Sequence, residues 1–131
     1  MRKIIVAPDF PNYPRDWHFS PALDTGSFVF FSGITGVRPD LTLAAEPSLQ
    51  FREAFRFVEM HLEAAGLRLE QIVDLTTYHV DLRKHLAAFL IVKDEFIKEP
   101  YPTWTAVGVS ELITPGTFLE IRIVAQRDSS P

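Results

Sequence analysis

Between Ser48 and Gly66 the apolar residues Phe51, Phe55, Val58, Leu62 and Ala65 recur at steps of four and three, which an α-helix turns to one side. Gly66 supplies the stop. On either side lie runs without that period. Phe28–Ile34 and Ile72–Leu82 are rich in β-branched and aromatic residues and read as strands. A second helical stripe of Leu86, Phe89, Leu90, Lys93, Phe96 and Ile97 is ended by Pro100 and Pro102, and Thr103–Val109 and Thr117–Gln126 read as closing strands. A chain that sets each helix between strands is best satisfied by an α+β architecture, one sheet with two helices packed on one face.

The N-terminal part is less regular. Ile4–Ala7 reads as a short first strand, followed by a loop rich in proline (Pro8, Pro11, Pro14, Pro21) and aromatics (Phe10, Tyr13, Trp17, Phe19). So apolar a loop is expected to lie over a groove or against a neighbouring subunit. Asp24-Thr25-Gly26-Ser27 is a hairpin signal that pairs Phe19–Leu23 with Phe28–Ile34 in antiparallel fashion. Gly36 to Pro47 reads as a loop and Asp128 to Pro131 as a loose tail.

Size and charge narrow the possibilities. A chain of 131 residues, 47% of them hydrophobic, suits one domain spanning 1–131. The net charge of -4 and the scattered Lys and Arg argue against nucleic acid as a partner. The absence of cysteine excludes disulfides and thiol catalysis. No apolar run reaches the length of a membrane span, and the N-terminal run is too short for a signal peptide, so a cytoplasmic location without membrane contact is expected. The four histidines, His18, His61, His79 and His85, lack metal-ligand spacing, and no nucleotide-binding glycine pattern occurs. The expectation is therefore no metal and no cofactor.

The last strand bears on assembly. Leu119, Ile121, Ile123 and Ala125 point one way and suit the face under the helices, while Phe118, Glu120, Arg122 and Val124 point the other. Two helices cover one face only, and the second face mixes charge with bulk. Association of sheets through that face is the economical reading.

From Pro102 the chain reads Pro-Thr-Trp-Thr-Ala-Val-Gly-Val-Ser-Glu-Leu, and after six residues Leu119-Glu120-Ile121. This resembles the C-terminal signature of the RidA family, also called YjgF or the enamine/imine deaminases, with Trp104 where the family has an arginine. Phe31-Ser32-Gly33, Ala64-Ala65-Gly66-Leu67 and the strand from Ile72-Val73 to Asp81-Leu82 extend the resemblance over nearly the whole chain. It implies a chorismate-mutase-like subunit and a homotrimer with sites in the clefts between subunits. It also implies hydrolysis of an enamine or imine without a cofactor, through a water positioned by Glu120. Ser32 and Gly33 match the pocket-lining pair, Phe19 stands where a tyrosine usually covers the substrate, and Leu90 is the best match to a polar helix residue.

Each candidate has a second reading. Glu120, between two apolar residues on a strand, is a desolvated base or a structural carboxylate paired with Arg122. Trp104 cannot hold a carboxylate as the arginine fork does, so it marks either a changed substrate, flatter or less anionic, or a degenerate site. His79 is an alternative base or a satisfied structural histidine, His18 could reach the cleft from a neighbouring chain, and His61 is expected at the surface or boundary. Two functions follow. One is deamination of a pathway-specific small molecule; the other is a non-catalytic trimer that binds a small aromatic or apolar metabolite in the inter-subunit cleft.

Overall fold

The computed structural model describes residues 2–128. The long periodic segment forms a helix, Pro47–Ala64, and Phe51, Phe55, Val58 and Leu62 are fully buried along it. The Glu46 side chain accepts from the backbone N–H groups of Ser48 and Leu49, and Pro47 takes the first turn, where no donor is needed. Numbering the elements along the chain, the strands are β1 (Lys3–Ile5), β2 (Ala22–Asp24), β3 (Phe28–Phe31), β4 (Ile34–Thr35), β5 (Ile72–Val80), β6 (Thr103–Val109) and β7 (Leu119–Gln126). The helices are α1 (Tyr13–Trp17), α2 (Pro47–Ala64) and α3 (Leu82–Phe96). The sequence reading did not anticipate α1, which lies within the proline-rich loop and is capped by the Asn12 side chain.

All seven strands join one sheet, in the order β1-β2-β3-β7-β5-β6, with β4 also paired to β7. Every pairing is antiparallel except β5 with β6, which α3 connects. The β2–β3 hairpin turns at the expected place. Gly26 takes a positive φ of 110° there and the Asp24 carboxylate accepts from its N–H.

The alternation expected of β7 holds from Leu119 onward, whereas Phe118 precedes the strand and packs on His85 of α3 instead of the far face. Leu119, Ile121, Ile123 and Ala125 are buried beneath the helices, and Glu120 and Arg122 stand on the other face. The core between sheet and helices is aromatic: Phe89 meets Phe51 edge-on at 5.7 Å, and Phe55 stacks on Phe96 at 5.2 Å. The stripe of α3 differs from the one expected. Phe89 and Val92 are its buried residues and Leu90 points outward, because the helix presents its i, i+3 row to α2 and the sheet. An exposed pair, Arg52 with Glu95, also spans α2 and α3.

One polar residue lies wholly inside. The Gln50 amide donates to the carbonyls of Ala44 and Gly116, both at 3.0 Å, and its Oε1 accepts from the Phe118 N–H at 2.6 Å. Gly36 crosses against this turn of α2, and a Cβ there would lie 2.7 Å from the Gln50 carbonyl oxygen. Gln50 thus joins α2 to the loop before it and to the segment leading into β7. Gln50→Leu strands one amide N–H and two carbonyls and is expected to cost roughly 2–4 kcal/mol in denaturant unfolding. A loss below that of an exposed helix substitution would show that water replaces the amide.

Candidate functional site

The sheet register produces the first feature of the site. From Phe30 to Ile34 the chain advances four residues along β3 and β4, while the partner positions on β7 run three, from Val124 to Ile121. The extra residue makes a bulge at Ser32-Gly33. Gly33 is needed there because its neighbour fills the space of a side chain: a Cβ would sit 2.4 Å from Glu120 Oε2 and 2.5 Å from its carboxyl carbon. Ser32 is held beside it, its N–H donating to Pro21 O at 3.0 Å and its hydroxyl to Ser20 O at 2.7 Å.

Glu120, opposite Thr35 and Tyr78 in the ladders, stands on the face without helices. It lines an open cleft of about 620 Å³, walled by the loop from Ser110 to Thr117 and by Val80 and Phe118. Among the described residues the carboxylate has no hydrogen bond or ion pair, although Arg122 lies two residues away on the same face. Burial raises its pKa. Thr117, which the sequence did not flag, is 3% exposed and its hydroxyl has no partner, although it lines the same cleft.

Ser32 and Gly33 also border a smaller cavity of about 130 Å³, roofed by Phe10, Tyr13 and Phe19 from the N-terminal segment. The proline-rich loop thus covers a groove, as expected of so apolar a stretch. His61 lines this cavity and is 5% exposed, which corrects its expected surface or boundary position. It stands on the last turn of α2, where the turn meets Phe10 at a ring distance of 4.4 Å. Its stripe reads as surface because the covering layer comes from a loop rather than from a periodic element.

Trp104 stands elsewhere. It is opposite Leu75 on β5, and so on the helix-bearing face at the β6 edge. Its indole N–H donates to Thr77 Oγ1 at 3.0 Å, Thr77 Oγ1 lies 2.7 Å from His79 Nε2, and the Lys93 ammonium sits 4.4 Å from its ring centroid. Both Thr77 and His79 are buried, and desolvation lowers the His79 pKa to about 4. His79 is therefore a neutral, hydrogen-bonded core residue. Phe89, at 6.3 Å, and Lys93 are the α3 residues that meet Trp104, whereas Leu90 is exposed and borders neither cavity. His18 caps α1 in the left-handed conformation and is exposed; His85 packs on Phe118 at 4.8 Å. The structure thus gathers Phe19, Ser32, Gly33 and Glu120 around one bulge, and it sets Trp104 across the sheet from them. Among the described residues no cluster of His, Cys, Asp and Glu could hold a metal, and no helix is long and apolar enough to cross a membrane.

Residues 14–127 match the family model described as endoribonuclease L-PSP. The chain belongs to this family, that of the YjgF and RidA proteins. It is 38% identical over 109 residues to the RutC family protein YjgH of Escherichia coli (strain K12), covering 82% of each chain. The solved structure of protein YJGH superposes with a TM-score of 0.88 at 32% identity, over 98% of both chains. A protein of Dermatophagoides farinae named 2-iminobutanoate/2-iminopropanoate deaminase is 27% identical over 96 residues, 72% of this chain and 74% of that one.

The unpaired carboxylate has a measurable consequence. A raised pKa means that the folded state holds the proton of Glu120 more tightly than the unfolded state, so this group's contribution to stability falls as pH rises through its titration. Glu120→Gln is expected to melt above the parent at neutral pH, with the gap closing in acid, in thermal scans from about pH 4 to about pH 8. A variant that melts lower at neutral pH would reveal a cationic partner for the carboxylate.

Proposed function

We propose that this protein hydrolyses a small enamine or imine without a cofactor, using a water held by Glu120. The observation that carries the reading is the unpaired, half-buried Glu120 carboxylate on a cleft with room for a small molecule. Water is the nucleophile. As its oxygen bonds to the carbon of the protonated imine, Glu120 takes its proton and a carbinolamine forms. The protonated Glu120 returns that proton to the nitrogen. As the C–N bond breaks the carboxylate takes the hydroxyl proton of the carbinolamine, so that the carbonyl forms, ammonia leaves, and the last proton passes to ammonia as ammonium. A carboxylate whose pKa is raised by burial suits both halves of this exchange. Membership of the family and the named deaminase of Dermatophagoides farinae support the reaction class.

The substrate lacks the carboxylate of small imino acids. Within one subunit the lining of the Glu120 cleft holds two acidic residues, Glu111 and Glu120, and no Lys or Arg, so an anionic substrate meets repulsion from that wall. The Thr117 hydroxyl, without a partner among the described residues, lies buried beneath the wall of this cleft. With the indole N–H given to Thr77 and Lys93 over the ring, Trp104 is positioned as a wall.

The working form is a homotrimer. The face of the sheet without helices exposes Ile4, Phe28, Phe30 and Val107, each at more than a third of its surface, and no element among the described residues lies over them. Because Trp104 and Glu120 occupy opposite faces of one sheet, a site that uses both is completed between subunits. Light scattering is expected to give three times the 14.9 kDa chain mass, and a monomer at micromolar concentration would overturn the assembly.

Glu120→Gln is expected to retain ligand affinity while turnover of a carboxylate-free imine falls by ~10²–10⁴-fold, the usual cost of removing a general base. Comparable rates on 2-iminobutyrate and on an uncharged imine would sink the substrate assignment, and unchanged turnover in the variant would sink the mechanism.

A further inference from the structure

The cavity under the N-terminal segment holds a group that the proposed reaction does not use. His61 is 5% exposed, borders the cavity and has no hydrogen-bond partner among the described residues. Desolvation lowers its pKa to about 4, so the ring is neutral near pH 7 and offers one donor and one acceptor. Without a protein partner, the imidazole is left to bond to what enters the cavity.

The rest of the lining defines what that something can be. Phe10, Phe19, Pro21, Ile34 and Val37 supply the apolar part of the walls, and Tyr13, stacked on Phe19 at 4.9 Å, adds a phenolic hydroxyl. Of the hydroxyls from the bulge and β4, Ser32 donates to Ser20 O and Thr35 accepts from the Val37 N–H. No Lys, Arg, Asp or Glu borders the space, so a charged ligand has no counter-charge there. The volume of about 130 Å³ is close to that of engineered cavities of ~150 Å³ that hold benzene.

We propose that this cavity binds a small uncharged aromatic molecule carrying one hydrogen-bonding group, with His61 as its anchor. The ring lies between the apolar walls and the polar group bonds to the imidazole. The site lies within one subunit, behind Ser32 and Gly33, and shares no lining residue with the Glu120 cleft. A ligand seated here presses on the backbone of the bulge that Glu120 touches, and in this way the compartment can report to the cleft.

Phenol serves as the probe, with benzene lacking the polar group and benzoate carrying a charge. Histidine ring nitrogens followed by NMR during a phenol titration are expected to show a saturable change at His61, with none for benzoate. His61→Leu is expected to weaken phenol binding roughly three- to tenfold, the worth of one hydrogen bond, while leaving benzene binding unchanged. Val37→Phe fills the cavity while keeping His61, and is expected to abolish binding of both; it carries the test if the His61 variant does not fold. No saturable change at His61, equal affinity for benzene and phenol in the parent, or binding that survives Val37→Phe would each overturn the proposal. Turnover is not the readout, so failure of the deaminase reading leaves this result intact.

Discussion

The buried amide of Gln50 is the constraint on which the geometry of the cleft depends. Three of its bonding positions are taken by backbone groups from two segments far apart in sequence, Ala44 on one side and Gly116 and Phe118 on the other. The Ala44 and Gly116 carbonyls and the Phe118 N–H have no other partner among the described residues, and a buried backbone group without a partner is expensive. Gln50 therefore fixes where the Ser110–Thr117 loop leaves the helix layer and enters β7, two residues before Glu120. The wall of the cleft and the carboxylate on its floor are positioned from the same helix.

The second determinant is the bulge. A regular ladder from β3 through β4 would carry side chains past Glu120 in strict alternation and close the space over it. One extra residue at Ser32-Gly33 interrupts that alternation, leaves a glycine against the carboxylate, and opens the backbone toward the aromatic cavity on the other side. The two spaces thus meet at a single turn of chain. The acidic cleft suits a polar reaction and the aromatic one a neutral ring.

Much of the architecture was legible in periodicity. The stripe of α2, the hairpin at Asp24 to Ser27 and the alternation of β7 all follow from apolar spacing, because each is a local consequence of burying one face. The stripe of α3 was read one residue off at Leu90, since that helix has apolar residues on more than one side and only packing selects which are covered. The helix α1 was hidden by prolines that read as loop. His61 looked like a boundary residue because its cover, Phe10, arrives from an aperiodic segment some fifty residues earlier. Trp104 was assigned by the motif to a cleft between subunits, and only strand parity reveals that it stands on the face opposite Glu120 within one subunit. Motifs give identity at a position; which face a position takes is decided by register.

The closeness of Gly33 to Glu120 has a bearing on descent as well as on shape. The two positions share one volume, so they cannot drift independently. A lineage that shortened the side chain at 120 would be free to carry a Cβ at 33, and one that kept the acid would be held to glycine there. Joint variation of these two positions, eighty-odd residues apart in the chain, would be a record of whether the acid is still in use.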